Sequence, residues 1–478
     1  MVDLTLRNLT STPLELKVVE RFEGQPPSSA GADDVKKRTA NLTSKITDIF
    51  NSASETVSPN LEIKGEAKDR QDVSIPLKPF ETRETDVRAP SPGREVLRLT
   101  FESEGHRYQV DAPSASRRST VMKRLDGAPN EYTVVYVQSS GCVAVYSSAN
   151  LASWMREIRD EYPLTALSIP GTHNSPTCHV ALPSVRCQAV GVREQLENGV
   201  RFLDIRVSVS QDKSDLTLVH SAFPISLTGN KYFKELVDTV YAFLAANPSE
   251  TIIMSVKREG TGRGTDQKLS KLLKEKFYNA EQWYTEPRLP TLGEVRGRIV
   301  LLRRHVNDKS LDGEWGGRGW GLDASVWPDN CEDGLLGSGI ARVQDFYEVD
   351  QSTNIEKKIE LARKHLERAA ERVCRLPGPD GHREGAAAPA VVPFFINFLS
   401  ASNFFRADCW PERIAAKANP AIIEYLCLRH GRPGKGPAGL KVGDAATGIV
   451  VTDWVGLKGD WDLIRCIVGW NAKLQLKH

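Results

Sequence analysis

Two histidines and an arginine define what this chain can do chemically. His173 lies in Ser168-Ile169-Pro170-Gly171-Thr172-His173-Asn174-Ser175, just after an apolar run, Thr165-Ala166-Leu167, that reads as a buried strand broken at Pro-Gly. His220 ends a second strand-like run, Leu216-Thr217-Leu218-Val219. Between them, Phe202-Leu203-Asp204-Ile205-Arg206 reads as a third strand. Residues two apart on a strand face the same side, so Asp204 and Arg206 point into one cavity. Imidazoles exchange protons near neutral pH and a guanidinium binds phosphoryl oxygens. Together they suit acid–base chemistry on a phosphate ester.

The elements that must hold these groups alternate. From Ala152 onward, helical patterns at Val192 to Glu197, Lys231 to Ala246 and Asp266 to Phe277 separate apolar strands at Thr251 to Val256, Arg298 to Leu302, Phe394 to Leu399 and Gly448 to Thr452. Continuous apolar strands divided by helices predict a parallel sheet covered on both faces. The length, roughly 320 residues, predicts a closed (β/α) TIM-type barrel with its site at the strand C-termini. His173, Arg206, His220, Lys257, Arg304 and Asp453 all fall at or just past such strand ends. Leu376 to Pro393 and Gly431 to Gly443 read as surface loops.

Gly171-Thr172-His173-Asn174-Ser175, Asp204-Ile205-Arg206 and Val219-His220 resemble the X-region motifs of phosphatidylinositol-specific phospholipase C in its bacterial, metal-independent form. Further segments follow in the family's order: Ile253 to Lys257, Arg298 to Arg304, Trp327 to Asn330, Val343 to Tyr347, Ile396 to Ser400 and Val451 to Trp454. The resemblance implies that His173 is the general base, oriented by Asp453, and that Arg206, beside Asp204, stabilises the phosphoryl charge. His220 would be the general acid. Lys257, Arg304, Asp345 and Tyr347 would contact the inositol, and Phe404, Phe405 and Trp410 would form an apolar rim at a membrane. The implied products are diacylglycerol and an inositol 1,2-cyclic phosphate. One position departs from the bacterial pattern: Asn174 replaces an aspartate, and its amide is expected beside His220. Calcium is not expected, because Arg206 and Lys257 stand where calcium-binding carboxylates would be needed. The alternatives are a catalytically weak phosphoinositide-binding adaptor and a phosphodiesterase on another phosphodiester.

Residues 1 to about 147 carry no catalytic constellation. Alternation at Val2, Leu4 and Leu6, at Leu14, Leu16 and Val18, and at Tyr132, Val134 and Tyr136 predicts a β-rich, sandwich-like accessory domain. A helical insertion is expected near 33–53, and the domain is expected to dock on the enzyme, a partner or a membrane. The catalytic domain is expected over 152–478. The net charge of +2 over 478 residues offers no field for nucleic acid. No apolar run is long enough to span a bilayer, and the N-terminus does not read as a signal peptide. Eight scattered cysteines without a C-x-x-C pair give no zinc motif. A cytoplasmic protein with peripheral access to lipid is the expectation.

Overall fold

A computed structural model describes residues 2–26, 60–115, 118–182, 184–210, 215–374, 376 and 392–476. The chain divides into two compact units, Met1–Ser148 with Gln475–His478, and Ala149–Leu474. The expected helix near 33–53 lies outside the described residues, as does most of the loop expected from Leu376 to Pro393.

The first unit holds two five-stranded sheets. One runs in the order Thr82–Arg88, Asp3–Leu9, Cys142–Ser147, Tyr132–Val137, Ser119–Val121, and the other Glu62–Leu77, Leu14–Gln25, Glu95–Ser103, His106–Ala112, Lys123–Arg124. The alternating side chains of both, including Leu4, Leu6, Leu16, Leu99, Phe101, Tyr108 and Val134, meet in one buried cluster. This is the sandwich that the period of two requires.

The second unit is built on seven parallel strands: β1 (Ile169–Thr172), β2 (Phe202–Val209), β3 (Ile252–Arg258), β4 (Ile299–Arg304), β5 (Ala341–Gln344), β6 (Phe394–Phe398) and β7 (Ile449–Thr452). Their order is β4-β3-β2-β1-β7-β6-β5, with every neighbour parallel. Nearly every side chain on them is buried, as a sheet covered on both faces demands. Helices α1 (Val192–Glu197), α2 (Phe233–Ala246), α3 (Asp266–Leu272), α4 (Asn354–Ala370), α5 (Pro411–Leu428) and α6 (Asp462–Gly469) alternate with them. On α2 the buried stripe is Phe233, Leu236, Val237, Val240, Phe243 and Leu244, spaced by three and four. Full burial of each such side chain contributes about 1.5–3 kcal/mol.

The barrel has a seam. Beyond β4 the short strands Trp283–Tyr284 and Leu322–Asp323 pair in parallel with its two halves, and Gly334–Leu335 pairs antiparallel with β5. Among the described residues no ladder joins these two edges, so the hydrogen-bonded ring expected to close is open there. His220 is also placed differently from the sequence reading. Leu216–His220 is not a parallel barrel strand but folds back antiparallel on the end of β2, pairing Leu218 with Val207. That reversal returns His220 to the level of Arg206.

The opposite end of the barrel is clamped by a buried ion pair. Arg201, just before β2, donates to Glu250 at 2.8 Å and to the carbonyls of Leu196, Val200, Leu151 and Ala152. Both side chains are fully buried. The incoming segment Leu151–Glu157 is thereby tied to β2 and β3.

Candidate active site

Strand register explains the site. Across β2, β3 and β4, Arg206 is paired with Lys257 and Lys257 with Arg304, so three cations stand in one row at the strand ends. Across β1 and β7, Thr172 is paired with Thr452, so the next residues, His173 and Asp453, emerge side by side. Gly171 permits the close approach of β1 to β2, because a Cβ there would meet the Phe202 side chain at 3.0 Å.

His173 Nδ1 lies 3.0 Å from Asp453 Oδ1. Asp453 is 2% exposed. Gln188 Nε2 donates to the carbonyls of His173 and Thr452 at 2.7 and 3.0 Å, and to Asp453 Oδ1 at 3.3 Å. Burial, then the nearby Arg206 and His220, push the His173 imidazole well below its usual pKa. A neutral ring with its Nδ1 proton on Asp453 leaves Nε2 free to accept a proton. Burial pushes the Asp453 carboxyl up, and Arg206 opposes that shift.

His220 faces His173, with ring centroids 5.7 Å apart at 84°. Its Nδ1 is held by the Val185 carbonyl at 2.8 Å. Burial first, then Arg206, lowers its pKa to about 4. Asn174 is not its hydrogen-bond partner, contrary to the expectation from sequence. The Asn174 amide nitrogen points to the Val219 carbonyl at 3.4 Å, its main-chain N–H donates to Asp204 Oδ2 at 3.0 Å, and its Oδ1 is buried without a partner among the described residues. The backbone at Asn174 adopts φ +36°, in the left-handed region that asparagine tolerates better than most residues.

Arg206 donates to Asp204 Oδ2 through Nε and a terminal nitrogen at 3.2 and 3.1 Å, and to Glu259 at 3.2 Å. Glu259 also accepts from Lys257 at 2.8 Å and from the Ser221 N–H at 2.9 Å. Burial would raise the Glu259 pKa, but Arg206 and Lys257 hold it at about 2. Arg304 lies 3.5 Å from Asp204 Oδ1 and stacks on Trp327 at 3.7 Å from the ring centroid. Trp327 donates to Asp345 at 2.9 Å. Tyr347 stands further out, its hydroxyl donating to Asp329 at 3.0 Å. Phe404 and Phe405 are 44% and 91% exposed. Phe404 stacks on Phe223, which pairs with His220 across the hairpin, and Trp410 donates to the Phe404 carbonyl.

Four residues at or near the site escaped the sequence reading. Glu259 had a signal, since it lies two residues beyond Lys257 at the same strand end. Lys358 also had one: it interrupts the apolar stripe of α4 that contains Ile355, Ile359 and Ala362. It is fully buried, donates to Gln344 at 2.9 Å, and burial lowers its pKa to about 7. Gln188 and Cys187 lie in an irregular loop, where no periodicity marks them.

The fold and site define a β/α-barrel protein with two facing imidazoles beside a carboxylate-held guanidinium. Residues 161–305 match the family model described as phosphatidylinositol-specific phospholipase C, X domain. A 1-phosphatidylinositol phosphodiesterase of Listeria monocytogenes is 34% identical over 177 residues, which cover 35% of this chain and 53%, about half, of that protein. The enzyme of the same name from Staphylococcus aureus is 27% identical over 362 residues, 71% of this chain and 96% of that one. A solved structure of the S. aureus phosphatidylinositol-specific phospholipase C superposes with a TM-score of 0.51 at 25% identity, covering 67% of this chain and 97% of that one.

Proposed function

We propose that the Ala149–Leu474 unit cleaves phosphatidylinositol-type lipids at a membrane surface to diacylglycerol and inositol 1,2-cyclic phosphate, without a metal ion. One observation carries the reading: His173, backed by Asp453 at 3.0 Å, faces His220 across 5.7 Å beside Arg206. Nε2 of His173 takes the proton of the inositol 2-hydroxyl as that oxygen attacks phosphorus. The charge that grows on the phosphoryl oxygens falls to Arg206, which Asp204 and Glu259 hold in place. His220 gives its proton to the departing glycerol oxygen. Arg304 on Trp327, Lys257, Asp345 and Tyr347 offer charged and hydroxyl partners for the ring hydroxyls, and Asn174 keeps the β1 end against Asp204. Because Arg206 and Lys257 already engage Asp204 and Glu259, those carboxylates are not free to collect a hard cation.

The test is phosphorus NMR of phosphatidylinositol in detergent micelles with EDTA present. A cyclic phosphodiester product is expected. Lipid binding without turnover would replace the reading with that of a binding protein, and turnover lost in EDTA but restored by calcium would overturn the metal-free mechanism.

A further inference from the structure

We propose that the site also binds a borderline-soft divalent cation of the Zn²⁺ type across His173, Cys187 and His220, and that this ion shuts the enzyme off. Its effect on turnover rests on the acid–base roles given above; its binding does not.

One ring nitrogen of each histidine and the Cys187 sulfur lie within 4.8 Å of one another. Cys187 Sγ also packs 3.6 Å from His220 Nδ1, the nitrogen that stays on the Val185 carbonyl. Zinc bonds of about 2.0–2.3 Å place tetrahedral ligands about 3.3–3.6 Å apart, so closing the set needs movements of about 1 Å. The surroundings suit a metal centre. Asp453 holds His173 at Nδ1 and the Val185 carbonyl holds His220 at Nδ1, which are the partners that orient metal-bound imidazoles. Thr177 fixes the Cys187 main chain, its carbonyl and hydroxyl accepting the Cys187 N–H at 3.3 and 3.1 Å. Cys187 is fully buried, and the proton transfers proposed above do not use it.

The donor set selects the ion. Two imidazoles and a thiolate suit zinc rather than calcium, whose oxygen ligands here are tied to Arg206 and Lys257. Glu259 and Asp204 offset the Arg206 charge that would oppose a dication. On binding, the Cys187 S–H bond breaks, its proton passes to solvent and a sulfur–metal bond forms. The two imidazoles bind as neutral bases, and all but one of the waters leave the hydrated ion. Three protein ligands leave a fourth position for water. An ion so held takes the nitrogen that His173 needs as base and the one that His220 needs as acid.

The experiment uses the full chain, dialysed free of metal and titrated with Co²⁺ and then Zn²⁺. A sulfur-to-cobalt charge-transfer band at one equivalent, displaced by Zn²⁺, is expected. In metal-free buffer Cys187→Ser is expected to turn over lipid within a few-fold of the parent, while losing the band and at least about tenfold of the sensitivity to Zn²⁺. Cys187→Ala serves if the serine variant does not fold, and His220→Ala, read by cobalt affinity alone, serves if neither does; about tenfold weaker binding is expected there too. No band in the parent protein, a band that persists without Cys187, or unchanged cobalt affinity in His220→Ala overturns the site. Zinc that binds through Cys187 and leaves turnover untouched overturns the inhibition. A band in a protein that never cleaves lipid leaves the metal site standing and removes the phospholipase reading instead.

Discussion

At the scale of residues, Glu259 ties the site together. One carboxylate oxygen takes both Arg206 and Lys257, and the other takes the N–H of Ser221, next to His220. With its pKa held at about 2, it is ionised at neutral pH. Glu259→Gln keeps the shape and removes the charge, leaving Arg206 to Asp204 alone. Turnover should fall about 10–100-fold with a smaller change in KM, since the loss is one of positioning. Steady-state kinetics on micelles check it; an unchanged kcat would mean that Asp204 alone suffices. His173→Ala and His220→Ala should each cost about 10²–10⁴-fold in turnover with the fold intact by circular dichroism, and parent-like activity in either would remove that residue from the mechanism.

The same residues set the pH dependence. The His220 pKa is lowered to about 4, by burial and then by Arg206, so the free enzyme loses the acid's proton at low pH. A lowered pKa means that less of the protonated form survives as pH rises. Because kcat/KM reports the free enzyme, its optimum should lie on the acid side of neutrality and decline above it. A bound phosphodiester is an anion that neutralises Arg206, which raises the His220 pKa in the complex. The alkaline limb of kcat should therefore lie at least about one unit above that of kcat/KM. Coincident limbs, or kcat/KM flat up to pH 8, would show that His220 is not the proton donor.

At the scale of elements, the strand ends were legible because the alternation of apolar strand and helix is written in composition, and the chemistry sits where each strand stops. Arg206, Lys257, Arg304 and Asp453 follow from that rule; His173 also ends a strand, but that strand is Ile169–Thr172, which runs through the Pro-Gly that reads as a break, while Leu164–Ala166 is a 3-10 turn. His220 does not follow from the rule, because a five-residue strand reads alike whether it runs parallel or folds back, and only pairing with Val207 decides. Nor do Val185, Cys187 and Gln188, whose places depend on an irregular loop that wraps the two histidines. The resemblance places the Asn174 amide beside His220, whereas in the structure the amide goes to the carbonyl of the preceding residue, Val219. The Arg201–Glu250 clamp was invisible because its four carbonyl acceptors come from segments far apart in the chain. Removing one partner leaves a buried charge unpaired, so Arg201→Ala or Glu250→Ala should each destabilise the barrel by about 3–5 kcal/mol. Arg201→Met with Glu250→Leu should cost less than the sum of the single changes, as measured by denaturant unfolding. Single variants as stable as the parent would show that the pair contributes nothing net.

At the scale of the whole molecule, the proposed activity raises the question of how the chain meets lipid. Among the described residues no helix is long and apolar enough to cross a membrane. The formal net charge is +2, too small to draw the chain to a bilayer at physiological salt. What the barrel unit offers instead is an apolar rim. Phe405 is 91% exposed, Phe404 is 44% exposed, and Phe404 stacks on Phe223 at 5.6 Å, a neighbour of His220 across the hairpin. Aromatic bodies of this kind settle at the bilayer interface, and here insertion would bring lipid towards His220. Phe404→Ser with Phe405→Ser, made in a His173→Ala background so that the lipid survives, should weaken partitioning to phosphatidylcholine vesicles about tenfold or more, with Phe405 carrying the larger share because Phe404 is partly covered. Salt separates this reading from an electrostatic one. Raising it from about 0.1 to about 0.5 M shortens the screening length roughly twofold, yet should change parent partitioning by less than about threefold, because apolar insertion is not screened. Steep loss of binding with salt, together with unchanged partitioning of the double serine variant, would move the membrane contact off this rim and onto a charged surface elsewhere on the chain.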